Sequence, residues 1–257
     1  MRIATWNVNS LKARLDRVIE WLALRSPDVL LMQETKLADD AAPLMAFQIS
    51  GYELAHHGEG RWNGVAIASR VGLADISHGF EGSGPDADGA RFLTATCAGI
   101  RVVSVYAPNG RALGTPFYTA KLDWFARAEA WVRANIDPGA DAVLGGDLNV
   151  APADIDVYDP QVFLGSTHTS VPERESVQRL IDFGFVDVYR THHPEPGRYT
   201  WWDYRAGNFH KGLGMRIDNL LLTRPLAARC VGAEIDRDAR KGKLPSDHAP
   251  MYVDLLD

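Results

Sequence analysis

Apolar positions along the chain switch repeatedly between a period of two and a helical period. Residues 2–6 predict a short strand. Leu11, Leu15, Val18, Ile19 and Leu22 then recur on one helical face, with Pro27 just past its end. Residues 29–32 form a continuous apolar run, short enough for a buried strand. Residues 65–68, 91–97 and the valine-rich 101–106 predict further strands. Leu122, Phe125, Ala128 and Val132 trace a second helix after Pro116, residues 141–146 return to strand, and 173–183 predict a third helix stopped by Gly184. Strands are expected near 185–188, 199–202, 215–223, 228–235 and 251–255. Early helices interleave with strands, the last quarter is mostly strand, and no repeat or low-complexity linker interrupts the pattern. A single α/β domain over residues 1–257, with a mixed sheet system and helices outside, is the expectation.

Composition agrees with a packed core: of 257 residues, 46% are hydrophobic and 23% charged. A disordered chain, a collagen-like fibre and a small disulfide scaffold are excluded. No apolar run approaches the ~20 residues that span a bilayer, so no membrane partner is expected. The opening MRIATWNVNS lacks the apolar stretch of a secretory signal. Cys97 and Cys230 stand far apart without a CxxC, as expected of small core residues in a reducing cytoplasm. The formal charge of −6 argues mildly against a nucleic-acid partner, but its distribution does not. Residues 136–172 carry six acids and no Lys or Arg, so the remainder is balanced and holds local basic clusters such as Arg237–Lys243. His56-His57 and His192-His193 read as loop residues, and 154–159 as a solvated acidic loop.

Polar residues at the ends of apolar strands carry the chemistry, because a packed strand delivers its last side chain to a fixed place. Asn7 follows the first strand, Glu34 the second, and Asp147 and Asn149 follow Gly145-Gly146. Asp218 precedes an apolar run, and Asp247-His248 precede the last strand. Each alone reads as an ordinary turn or cap; together they form a set of mostly oxygen donors. That set suits a hard cation such as Mg²⁺, with Mn²⁺ as a substitute, and not zinc. Mg²⁺ held by carboxylates most often serves a phosphate substrate.

The ordered motifs Trp6-Asn7, Gln33-Glu34-Thr35, Tyr106-Ala107-Pro108-Asn109, Gly146-Asp147-Leu148-Asn149, Arg216-Ile217-Asp218 and Ser246-Asp247-His248 resemble the exonuclease III family of AP endonucleases, within the wider endonuclease/exonuclease/phosphatase superfamily. The resemblance runs from the first strand to the last. It implies a four-layered α/β sandwich, two packed mixed β-sheets flanked by helices, with the site at one end of the sheets. It also implies a Mg²⁺-dependent DNA repair nuclease. The activities expected are hydrolytic incision 5′ to abasic sites, cleaning of blocked 3′ ends, and 3′→5′ exonuclease action on double-stranded DNA.

Carried across residue by residue, Glu34 matches the principal metal carboxylate, Asn7 its neighbouring ligand or support, and Asp247 a further metal-side carboxylate. Asp147 matches the residue that orients or deprotonates the attacking water, Asn149 the amide that holds that water, and Tyr106 a phenol on the phosphate. Asp218 matches the acid that pairs with His248. Asp147, Asn149 and His248 also count among the metal-side residues. Which of Asp147 and His248 takes the water's proton is not decided by sequence, and Asp147 is the favoured hypothesis. Asn109 and Arg111 match a loop that grips DNA, while Trp201 and Met215 match walls of the abasic pocket. Arg111, Lys121, Arg205, Lys211 and Lys241 are expected on loops that reach DNA phosphates. A monomer acting on double-stranded DNA with abasic sites or blocked 3′ ends is the expectation. The rivals are a phosphatase of small phosphoesters on the same fold, a relative that processes 3′ ends without AP endonuclease activity, and a DNA-binding module without chemistry.

Overall fold

The protein is described by a computed structural model covering residues 1–80 and 89–256. In chain order its strands are β1 (Arg2–Asn7), β2 (Val29–Gln33), β3 (Glu53–His57), β4 (Val65–Ser69), β5 (Ala74–His78), β6 (Phe92–Cys97), β7 (Ile100–Tyr106), β8 (Ala142–Asp147), β9 (Phe185–Asp187), β10 (Asp218–Thr223), β11 (Cys230–Ile235) and β12 (Met251–Leu255). The principal helices are α1 (Leu11–Arg25), α2 (Leu44–Ile49), α3 (Pro116–Asn135) and α4 (Val171–Phe183).

The strands form two six-stranded sheets, ordered β11-β12-β1-β2-β4-β3 and β5-β6-β7-β8-β10-β9. Each is built around one parallel pair with antiparallel neighbours. In the first sheet β1 runs parallel to β2, with α1 as the connection. In the second β7 runs parallel to β8, with α3 as the connection. A parallel pair needs such a crossover, because the chain must return to the same end of the sheet before the second strand begins.

Alternate side chains of the central strands enter two different cores. Ile3, Leu31, Ile67, Val102, Val143, Leu220 and Val253 meet between the sheets. Their neighbours Ala4, Trp6, Leu30 and Met32 face Trp21 and Leu22 of α1 and Phe47 of α2. Val103, Leu144 and Leu221 face Trp124, Phe125 and Trp131 of α3 and Leu180 of α4. The layers are therefore helix, sheet, sheet, helix, the four-layered arrangement expected. Burial on both faces explains why β2, β4 and β8 read as continuous apolar runs, each buried Val or Leu contributing about 1.5–3 kcal/mol.

Five expectations change. α2, β3 and β5 escaped the apolar pattern; β3 and β5 are sheet edges with mixed side chains, and β5 is mostly exposed. His56 and His57 lie in β3 and not in a loop. Residues 199–202 form no strand: Trp201 makes only single bridges, to Met215 and to His248. The acidic segment 154–159 is not wholly solvated, because Asp156 is buried against Arg216 and Arg190. Cys97 is buried as expected, whereas Cys230 is only partly so.

Candidate active site

The carboxyl ends of the two parallel pairs converge, since Asn7 at the end of β1 touches Asp147 at the end of β8. The Asn7 amide Nδ2 donates to Glu34 Oε1 at 2.9 Å and to Asp147 Oδ2 at 2.9 Å, and its Oδ1 accepts from the Asn9 N–H at 3.0 Å. Asn7 thus bridges one acid from each sheet. The glycines before Asp147 make this junction possible. A Cβ on Gly145 would meet Leu31 and Leu220 between the sheets, and Gly146, at φ 151°, would drive one into the Val105 carbonyl. Glu34 and Asn149 hold left-handed backbone, at φ 52° and 51°, an uncommon conformation that aims their side chains inward.

Asp147 continues the network. Its Oδ1 accepts the Asn149 backbone N–H at 2.8 Å, and its Oδ2 lies 3.8 Å from His248 Nε2. His248 Nδ1 pairs with Asp218 Oδ2 at 2.8 Å, while Asp218 Oδ1 is buried without a hydrogen-bond partner among the described residues. The Asn149 amide donates to the Ala107 carbonyl at 2.9 Å, and its Oδ1 accepts from Asn109 Nδ2 at 3.3 Å. Asn109 Oδ1 in turn accepts the Arg111 N–H at 3.1 Å, closing the turn after Tyr106.

Electrostatics separate the two central groups. Burial, reinforced by Asp218, pushes the Asp147 carboxyl up to about 7. Burial opposes a charge on His248, but Asp218, then Asp147 and Asp247, outweigh it and hold the imidazolium up to about 10. Near neutrality His248 is a cationic donor, whereas Asp147 is poised between its two forms. Burial, then Glu34, raises the Tyr106 phenol well above its ordinary range, so it too stays a donor; the Arg91 guanidinium lies 4.5 Å from its ring centre.

Glu34, Asp147 and His248 each offer a ligand atom within 4.8 Å of the others. A divalent cation fits the two carboxylates, because it would remove the cost that lifts Asp147. His248, the third member of the cluster, faces Asp147 through Nε2 and is held from behind by Asp218. Asp247 stands apart from this cluster: Asn9 Nδ2 donates to its Oδ1 at 2.9 Å and Trp201 Nε1 to its Oδ2 at 3.1 Å. Trp201 and buried Met215 are bridge partners and pack in one small apolar cluster with Ala151, Val157 and Ile217. Arg111 is exposed and its guanidinium lies over the Phe117 ring at 3.6 Å.

Lys121 departs from expectation. It lies in α3, fully buried, with Nζ 2.5 Å from Glu173 and 2.7 Å from the Asn149 carbonyl, and so is unavailable to a phosphate. Several supporting residues carried no sequence signal beyond their motifs. Thr200 Oγ1 accepts the Ile217 and Asp218 N–H groups, both at 3.1 Å. Ser246 Oγ donates to the Asn7 carbonyl at 2.7 Å, and Lys36 lies 2.8 Å from Glu34. Buried His168 pairs through Nδ1 with the Asn149 carbonyl at 2.6 Å; burial, then Lys121, lowers it to about 4.

An imidazolium held by one carboxylate, beside a second carboxylate and a cation site, defines a hydrolase of phosphoesters. Residues 4–248 match the model of the Endonuclease/Exonuclease/phosphatase family, and the chain belongs to that family. It is 32% identical over 268 residues to exodeoxyribonuclease III of Haemophilus influenzae, covering 99% of this chain and all of that one. Among solved structures it is similar to an AP endonuclease from Archaeoglobus fulgidus, with TM-score 0.96, 39% identity and 99% of each chain covered. It is equally similar in fold to a 3′ phosphatase from Neisseria bound to a product DNA hairpin, with TM-score 0.96, 41% identity, and 100% and 99% of the chains covered. Its exodeoxyribonuclease III and AP endonuclease relatives indicate a phosphodiester hydrolase.

Proposed function

We propose that the protein hydrolyses the backbone of double-stranded DNA 5′ to abasic sites and clears blocked 3′ ends, as a Mg²⁺-dependent monomer in the cytoplasm, with residues 1–257 acting as one catalytic domain. The observation that carries the reading is the cluster of Glu34, Asp147 and His248, with ligand atoms within 4.8 Å of one another and His248 held by Asp218 at 2.8 Å; burial raises Asp147, and the neighbouring carboxylates raise His248. Pairs of titratable groups pushed apart by their surroundings mark a base and an acid.

Asp147 is the general base. Its buried carboxylate, once deprotonated, accepts the proton of the attacking water, while His248 stays a donor. Asn149 and Asn7 keep that carboxylate in one orientation. His248, steadied by Asp218, and the Tyr106 phenol present fixed donors to the non-bridging oxygens, where charge grows in the transition state. Glu34 and Asp147, with Asp247 nearby, would hold the cation, which supplies Lewis acidity and a template for the phosphate. Asn109 and Arg111 meet the DNA backbone, and Trp201 and Met215 wall the space for a sugar without its base.

The likeness to a 3′ phosphatase supports a second reading, in which the enzyme processes 3′ ends and leaves internal abasic sites intact. One experiment separates the two. A duplex with an internal tetrahydrofuran abasic analogue and a duplex ending in a 3′-phosphate are each incubated in Mg²⁺ and in EDTA. A Mg²⁺-dependent cut 5′ to the analogue, leaving an extendable 3′-hydroxyl, establishes incision. Release of phosphate with the analogue uncut establishes the second reading, and turnover of a soluble phosphoester with both duplexes intact overturns both.

A further inference from the structure

The helical layer outside the second sheet holds a buried ion pair, Lys121 of α3 with Glu173 of α4, both 0% exposed. An ammonium has three protons to donate, and here each has an acceptor. Nζ donates to Glu173 Oε1 at 2.5 Å, to the Asn149 carbonyl at 2.7 Å and to the Asn109 carbonyl at 3.4 Å. Glu173 is as fully engaged. Its Oε1 also accepts the His168 N–H at 2.9 Å, and its Oε2 accepts the Ser170 hydroxyl at 2.6 Å and N–H at 3.1 Å. Thr167 Oγ1 lies 2.8 Å from the same carboxylate and 3.1 Å from the Asn109 carbonyl, so its one proton is shared between them.

Packing alone does not call for such a pair. Apolar residues of similar volume in place of a buried ion pair often leave a fold as stable, or more so. What apolar side chains cannot do is hold two loop carbonyls, and both loops need holding. Asn149 has left-handed backbone at φ 51°, and Arg111 at φ 54°. Outside glycine that conformation is strained and persists only where the surroundings impose it. The Asn109 loop rests directly on the pair, since a Cβ on Gly110 would come within 2.9 Å of Lys121 Cδ and 3.0 Å of Thr167 Oγ1. The two loops also meet each other, Asn109 Nδ2 donating to Asn149 Oδ1 at 3.3 Å, and the Asn149 N–H reaches Asp147 Oδ1 at 2.8 Å. One ammonium therefore supports both the residue that steadies Asp147 and the loop assigned to the DNA backbone.

We propose that Lys121 and Glu173 are positioning residues of the hydrolytic site, a strut that fixes Asn149 and Asn109 in one relation so that the amide beside Asp147 and the loop on the DNA backbone address the same strand. It rests on the DNA-hydrolase reading above. Neither residue touches substrate; both act through the two carbonyls. Without the ammonium, Asn149 is free to leave its left-handed backbone, and its side-chain amide and its N–H to Asp147 move with it. A displacement of about 1 Å at a reacting group can cost about 10²-fold in rate. The remaining DNA contacts lie elsewhere, on Arg111, Trp201 and Met215, so the loss falls on kcat and not on KM.

The test is a double-mutant cycle in the full chain. Lys121→Met combined with Glu173→Gln removes both charges together and leaves neither buried alone. In single turnovers with Mg²⁺, on whichever of the 3′-phosphate and tetrahydrofuran duplexes the enzyme hydrolyses, this variant should lose about ten- to hundredfold in kcat with KM within about threefold. In an Asn149→Ala enzyme, which has no amide left to place, the same change should cost less than about threefold more. Thr167→Val withdraws one hydroxyl from the strut and should lower kcat about two- to fivefold, again only where Asn149 is intact. It decides the matter if the charge-free variant fails to fold. An unchanged kcat, or an equal loss with and without the Asn149 amide, overturns the strut. A wild-type protein that hydrolyses neither duplex overturns the hydrolase reading instead. Amide hydrogen exchange over residues 107–111 and 147–151 then decides the strut alone: faster exchange in the variants at an unchanged Tm supports it, and equal exchange overturns it.

Discussion

Two buried charge clusters lie only two residues apart in the chain, at Arg216 and Asp218, and they are built on opposite principles. Around Arg216 every charge is answered. Its Nε donates to Asp156 at 2.6 Å, its Nη2 and Nη1 grip Asp187 at 2.7 and 3.2 Å, and Arg190 adds a second cation to Asp156. Despite burial, Arg216 and then Arg190 hold the Asp156 carboxyl below its usual range. Around Asp218, by contrast, Glu34, Asp147 and Asp218 lie beside one imidazolium and one ammonium, that of Lys36 on Glu34, and one Asp218 oxygen has no partner among the described residues. The first cluster ties the 154–159 segment, β9 and β10 into one body. The second stays short of positive charge in the protein alone, and that deficit is what makes it receptive to a cation and able to take a proton. A compensated cluster stabilises a fold; an uncompensated one does chemistry.

The largest effect should come from removing the cation. Chelation should abolish hydrolysis, and in a thermal melt Mg²⁺ should raise the Tm of the wild type but much less that of Glu34→Gln. Asp147→Asn should lower kcat by about 10³-fold, the usual scale for a lost general base. In EDTA the same variant should melt no lower than the wild type, since it removes a costly buried carboxylate. Single-turnover rates and melting curves check the pair.

Arg216→Met breaks the other cluster. Leaving Asp156 and Asp187 buried without their guanidinium should cost about 3–5 kcal/mol, read by urea unfolding.

Acid should divide the clusters further. Asp156 has a lowered folded-state pKa, so its stabilisation is present above the ordinary Asp range and is lost as pH falls through the lowered value. Asp147 is raised from 3.8 to about 7, so between those values the folded state binds the extra proton and stability declines as pH rises. His248 is raised to about 10; its contribution is full below about 6.5, the ordinary His value, and is lost as pH climbs through 10. Melting in EDTA should show the Asp147 decline in the wild type and not in Asp147→Asn. A bound cation relieves the cost that lifts Asp147, so in Mg²⁺ the acid limb of kcat/KM should lie below about 7, and activity should fall toward about 10 as His248 loses its proton. An acid limb unchanged in Asp147→Asn would remove Asp147 as the base.

The smallest effect belongs to the periphery of the site. Asn9→Ala deletes one hydrogen bond to Asp247 and one from Lys36, each worth about 1.5–3 kcal/mol because one partner is charged, and should raise KM severalfold with kcat little changed.

Much of this was legible in the chain itself. Period and apolar run length marked the central strands and three principal helices, because buried strands and amphipathic helices must repeat their side chains at the spacing of their backbones. Strand-end polar residues marked Asn7, Glu34, Asp147, Asn149, Asp218 and His248, and their order carried the family resemblance. The edges were not legible: β3 and β5 pack on one side only, and their pairing depends on strands far away in sequence. Nor was the fate of single charges. Lys121 and Asp156 look like solvated charges in one dimension and become buried partners of Glu173 and Arg216 in three. The choice between Asp147 and His248 as base likewise belongs to the tertiary structure. Residue type sets where a group would titrate in water; depth of burial and the carboxylates that folding brings beside it set where it titrates in the protein.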